Sequence, residues 1–154
     1  MKVNEFQELV KVVTDAIAGK PLDGSLADFL NETFPAESEA FKAIEKACHT
    51  GAAEGWLCEN EHGGIQFGRP IKPTADLQGC SVDVVRMKDV KGPHHTHPNG
   101  EIDMVMPIEG DAKFDGQPAG WKVYGPGTAH HPTVTGGDAY VLYLLPDGAI
   151  EFTR

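Results

Sequence analysis

Positive charge is scarce in this chain of 154 residues. Lys and Arg number 13 against 23 Asp and Glu, a formal net charge of −10. Nucleic-acid binders and anionic-membrane binders need clustered positive charge, so that balance argues against both. No apolar run approaches the ~20 residues of a membrane helix. The opening MKVNEFQELVKVV sets acidic residues among its apolar ones, where a secretion signal would carry an uninterrupted core. A soluble, cytoplasmic protein with no membrane or nucleic-acid partner is expected. Cysteine is scarce too. Cys48, Cys58 and Cys80 are odd in number and lack CxxC spacing. That speaks against a disulfide framework or a thiolate zinc finger and for reduced, partly buried thiols.

Glycine and proline, by contrast, are plentiful, at 18 and 11. They are not periodic, so they read as turns between short strands. The first fifty residues follow a different rule. From Val3 to Ala18 the positions Val3, Phe6, Leu9, Val10, Val13 and Ile17 recur at three- and four-residue steps, one face of an amphipathic helix ended by Gly19 and Pro21. Ser25 is placed to cap a second helix carrying Leu26, Phe29 and Leu30. A third, from about Glu37, carries Phe41, Ile44 and Cys48, with Gly51 as its terminator. These faces suit either the cover of a sheet or the pairing of two subunits. After Gly55 the helical period gives way to short runs: Trp56–Cys58, Ile65–Phe67, Ser81–Met87, Ile102–Ile108, Ala112–Phe114, Trp121–Tyr124 and Tyr140–Leu145. A β-sandwich or small barrel is expected. The chain reads as one compact α+β unit, mainly β, with a helical segment over residues 1–52 and β-structure over 53–154.

Five of the seven histidines sit in two clusters. In His94-His95-Thr96-His97-Pro98-Asn99-Gly100-Glu101, strand alternation points His95 and His97 to one face. The Pro-Asn-Gly bend then lets Glu101 swing back to the same centre. Two imidazoles and a carboxylate suit one divalent transition metal, Fe(II), Mn(II), Zn(II) or Ni(II). The second cluster, Gly125-Pro126-Gly127-Thr128-Ala129-His130-His131-Pro132, offers a further histidine after a tight turn. One histidine alone would read as an ordinary hydrogen-bonded residue. Two clusters and a spaced carboxylate in one small domain read as a metal site.

His95-x-His97-x-x-x-Glu101 followed by Gly127-Thr128-Ala129-His130 resembles the two motifs of the cupin superfamily. The resemblance implies a double-stranded β-helix, a small β-barrel carrying the helices on its outside, with His95, His97, Glu101 and His130 as metal ligands. Spacing from Pro126 would select His131 instead; the Gly-Thr-x-His turn favours His130. A narrower resemblance covers nearly the whole chain. The helical segment, KGPHHTHPNGEIDMVMPIEGDAKFDG and GWKVYGPGTAHHPTVTGGDAYVLYLLPDGAIEF are similar to the 4-hydroxylaminobenzoate lyase family. That likeness implies conversion of 4-hydroxylaminobenzoate to 3,4-dihydroxybenzoate (protocatechuate) with release of ammonia, in bacterial 4-nitrobenzoate breakdown.

The implied reaction adds one water and needs no external electrons. A nicotinamide or flavin is therefore unnecessary, in keeping with the lack of a GxGxxG strand–turn–helix unit. A metal could polarise a departing oxygen or activate a water. Asp103, two residues past Glu101 and on the same strand face, is the first candidate acid or base; support of a ligand from behind, or a solvated rim position, is an equal alternative. His131 and Tyr124, beside the second cluster, come next. A small aromatic carboxylate needs a cation, and Arg69 and Arg86 are the candidates. The apolar helix faces suggest a homodimer. Two further readings remain, a metal-dependent dioxygenase or isomerase acting on another small aromatic acid, and a ligand-binding module without turnover. One scaffold hosts many chemistries, so the fold does not separate them.

Overall fold

The computed structural model describes residues 1–153. Three helices come first: α1 (Val3–Ala16), α2 (Gly24–Thr33) and α3 (Glu39–Glu54). Nine strands follow: β1 (Asn60–His62), β2 (Ile65–Ile71), β3 (Cys80–Lys91), β4 (His95–His97), β5 (Glu101–Phe114), β6 (Gly120–Tyr124), β7 (Thr128–His130), β8 (Thr133–Pro146) and β9 (Glu151–Phe152). A single 3₁₀ turn, Ala75–Leu77, precedes β3.

Local signals placed most of these elements, with three differences. Asp23, not Ser25, caps α2, its carboxylate accepting from the backbone N–H of Ser25 and Leu26. The third helix runs through Gly51 to a left-handed cap at Gly55. Gly51 is needed for its size, since a Cβ there would lie 2.7 Å from the Trp56 ring. Trp56–Cys58 is not a strand but the turn that follows the helix, and Trp56 packs on Phe6 at 5.5 Å between ring centroids.

The expectation of a barrel is overturned. Six strands form one sheet in the order β1-β2-β3-β8-β5-β6, and β7-β4-β9 form a separate sheet, so the strands do not close on themselves. Strands β4 and β7 have three residues each and β9 has two. Prolines 93, 98, 126 and 132 flank β4 and β7, and proline brings no N–H to extend a ladder. The short strands therefore pair only with one another. The β6 edge of the large sheet is capped from α2 instead. Asn31 donates to the Trp121 carbonyl at 3.0 Å and accepts from the Trp121 N–H at 2.9 Å. What holds is the coarser expectation, an α+β, mainly β chain with its helices packed on sheet.

The two faces of the large sheet are divided by strand alternation. Val82, Val84, Ile102, Met104, Met106, Leu142 and Leu144 share one buried cluster with Phe6, Val10, Leu30, Phe41 and Ile44 of the helices. The opposite face carries Val85, Val105, Val141 and Tyr143 and looks toward the small sheet. The three cysteines are free. Burial pushes the Cys58 thiol up to about 12 and that of Cys80 to about 11, as befits inert packing groups.

Candidate metal centre and adjoining cleft

The ligand-type residues meet between the two sheets. On β4 the alternation that set His95 and His97 on one face points both at the large sheet, and β7 pairs antiparallel so that His130 stands opposite His95. Glu101 comes from the first residue of β5, opposite Tyr124 of β6. The bend before it depends on Gly100, with φ 87°. A Cβ there would lie 2.7 Å from Leu22 and 2.8 Å from the Tyr124 carbonyl, so no other residue fits without movement.

One ligand atom from each of His95, His97, Glu101 and His130 falls within 4.8 Å of the other three. The Nε2 atoms of His95, His97 and His130 stand 3.4, 3.2 and 3.5 Å from the Glu101 carboxylate. His95 and His130 bring their Nε2 atoms 3.1 Å apart. His97 Nε2 and both Glu101 oxygens are buried without a hydrogen-bond partner. Lone pairs gathered in this way, out of reach of water, are what a divalent cation would satisfy, and the donor set suits a transition metal. The residues fit the group. Burial alone would raise the Glu101 carboxyl, yet His130, His95 and His97 hold it well below the usual carboxylate range. Burial likewise opposes charge on His130, but Asp115 and Glu101 raise that imidazole to about 9.

A cleft of about 560 Å³ opens beside the cluster, and His95 is the ligand residue that lines it. Phe67 and Phe152, both exposed, stand at this cleft, and Arg69, Asp83 and Tyr143 line it as well. Arg69 forks onto Asp83, with Nε–Oδ1 at 2.6 Å and Nη2–Oδ2 at 3.1 Å. Burial raises the Asp83 carboxyl while Arg69 pulls the other way.

The structure gathers some of the expected residues and scatters others. His130 joins the cluster, whereas the exposed His131 turns its Nδ1 to the Gly92 carbonyl, 3.2 Å away. Asp103 shares the face of Glu101 but is fully buried and does not line the cleft. Burial and the neighbouring Glu101 push its carboxyl well above the usual range. Tyr124 donates its hydroxyl to Asp115 at 2.5 Å. Arg69 lies on the cleft. Arg86 does not, because its strand parity turns it to the opposite side of the sheet. There it pairs with Asp138 at 2.8 Å and lies over the Tyr140 ring. Sequence reading passed over Asp83, Tyr143, Thr128 and Asp115. The first two alternate with apolar neighbours on core strands, and the only sign of Asp115 was an Asp-Gly pair that reads as a turn.

Comparison with known proteins settles the family. The model of the 4-hydroxylaminobenzoate lyase family matches residues 8–152. The chain belongs to this family. A 4-hydroxylaminobenzoate lyase of Pseudomonas putida is 29% identical over 170 aligned positions, covering 97% of each chain. One from a Nocardioides species is 30% identical over 136 positions, covering 82% of this chain and 80% of that one. The resemblance read from the sequence is borne out. Among solved structures, an RmlC-like cupin protein from Ralstonia eutropha is 14% identical with a TM-score of 0.44, covering 60% of this lyase-family chain and 61% of its own. The polyketide cyclase RemF of Streptomyces resistomycificus is 12% identical with a TM-score of 0.41, covering 60% and 72%. Among the described residues, no helix is long and apolar enough to cross a membrane.

Proposed function

We propose that this chain is a carbon–nitrogen lyase that converts 4-hydroxylaminobenzoate and one water to 3,4-dihydroxybenzoate and ammonia. The carrying observation is a cleft lined by aromatic side chains and Arg69 that ends on His95 of a buried three-imidazole, one-carboxylate cluster. Family membership supports the same reading. The atoms balance without an outside oxidant or reductant, because the nitrogen gains the electrons that the ring carbons lose. His95, His97, Glu101 and His130 would hold one divalent metal, which supplies Lewis acidity toward an oxygen when bound.

The chain's own groups do the rest. Arg69 offers a guanidinium fork to the substrate carboxylate, which competes with Asp83 for it. Phe67 and Phe152 give the ring apolar faces to lie against. Asp103, buried on the same strand face as Glu101 and pushed above the usual carboxylate range by burial and by it, acts only as a neighbour of that carboxylate. We read residues 1–52 and the β-structure from residue 53 onward as one folded unit, and the assembly as a homodimer, which light scattering checks.

The test is to measure metal content in the purified protein, then ammonia and 3,4-dihydroxybenzoate on adding 4-hydroxylaminobenzoate. Equal amounts of both products with no oxygen uptake are expected. Oxygen consumption would mean a dioxygenase, and binding without turnover a ligand-binding module.

A further inference from the structure

Two of the three imidazoles in the cluster are held from behind by an acceptor that fixes a hydrogen on Nδ1. His130 Nδ1 lies 2.6 Å from Asp115 Oδ2. A carboxylate that already receives the Tyr124 hydroxyl at 2.5 Å and the Thr133 N–H at 2.9 Å can only accept, so His130 Nδ1 carries its hydrogen. His97 Nδ1 lies 3.1 Å from Thr128 Oγ1, and that hydroxyl spends its own hydrogen on the Gly125 carbonyl at 2.6 Å. Thr128 must therefore accept as well. His95 differs, since its Nδ1 is buried with no partner.

We propose that Asp115 and Thr128 are positioning residues, each taking the Nδ1 hydrogen of one histidine and so holding that ring with its Nε2 turned into the cluster, free to offer its lone pair to a metal. The inference rests on the metal reading of the cluster and extends it to two turns: the Asp-Gly turn between β5 and β6, and the Gly125–Thr128 turn that opens β7. Outer partners of this kind orient metal-binding imidazoles and raise their basicity. The competing view is structural. Asp115, at φ 48°, would only close its turn and satisfy Thr133.

Zn(II) affinity of the full chain, measured by competition with a chromophoric chelator, and the visible bands of the Co(II) form separate these views. Asp115→Asn keeps the turn, because asparagine tolerates positive φ, but loses the carboxylate. Thr128→Val keeps the shape and loses the acceptor. Each should weaken Zn(II) binding by roughly 10–100-fold and shift the Co(II) bands, and Thr128→Ser should restore both. Tyr124→Phe removes a competing donor and leaves the acceptor, so its Zn(II) affinity should not fall. If Asp115→Asn does not fold, the Thr128 pair alone decides. Wild-type affinity and spectrum in Asp115→Asn and Thr128→Val would overturn the inference. So would a Tyr124→Phe loss parallel to that of Asp115→Asn, or failure of Thr128→Ser to rescue. A wild-type chain that binds neither metal overturns the metal reading itself.

Discussion

The two faces of the large sheet are made by the same strands and have opposite characters. On β5, Ile102, Met104 and Met106 point at the helices, while Glu101 and Asp103 point the other way, fully buried. On β8, Leu142 and Leu144 alternate with Tyr143, and on β3, Val82 and Val84 alternate with Asp83. Apart from the Arg86–Asp138 pair, the helix side is a close-packed layer of aliphatic and aromatic groups. The other side buries carboxylates and imidazoles whose inward atoms lack partners, an arrangement that costs stability unless a cation or shared protons satisfy it. One face thus supplies the surplus that lets its reverse hold groups poised for chemistry.

Single substitutions can break or sharpen that contrast. The largest effect should come from His97→Ala, which removes a ligand at the sealed end of the cluster. Most of the bound metal should be gone by elemental analysis, and turnover with it; full occupancy would remove this site from consideration. Next is Met104→Ala on the helix side, which should cost about 2–5 kcal/mol in denaturant unfolding. Its folded fraction should still hold metal at the wild-type ratio. Arg69→Leu should raise KM by roughly 10–100-fold with kcat little changed, the worth of a charged hydrogen bond to a carboxylate. An unchanged KM would leave the substrate carboxylate without its proposed partner.

The smallest change belongs to Met104's neighbour. Asp103→Asn keeps the size and offers an N–H to Glu101, so metal content and unfolding midpoint should match wild type and turnover should fall only slightly. A fall of roughly 10²-fold or more, the usual worth of a positioned acid or base, would show that Asp103 moves protons directly.

Much of the site was legible because it is local. The parity of His95 and His97, the bend at Pro98-Asn99-Gly100 and the reach of Glu101 all lie within seven residues of chain. The inward parity of Asp103 followed from the same strand. Its place off the cleft did not, since that depends on how strands distant in the chain pack. Arg69 and Arg86 looked alike as cations in the sequence, and only the strand pairing put one on the cleft and the other on the reverse.

The amino-acid sequence by itself determined which stretches are helical, which alternate, and which residues each alternation sends to a common face, because those properties follow from backbone periods of 3.6 and 2. It also carried the family likeness. The tertiary structure decided whether the strands closed into a barrel, and that the Asp115 turn would stand behind His130 and Asp83 beside Arg69. Closure and such meetings depend on hydrogen-bond partners far apart along the chain. Here, short proline-flanked strands and an asparagine cap on the β6 edge left the two sheets separate.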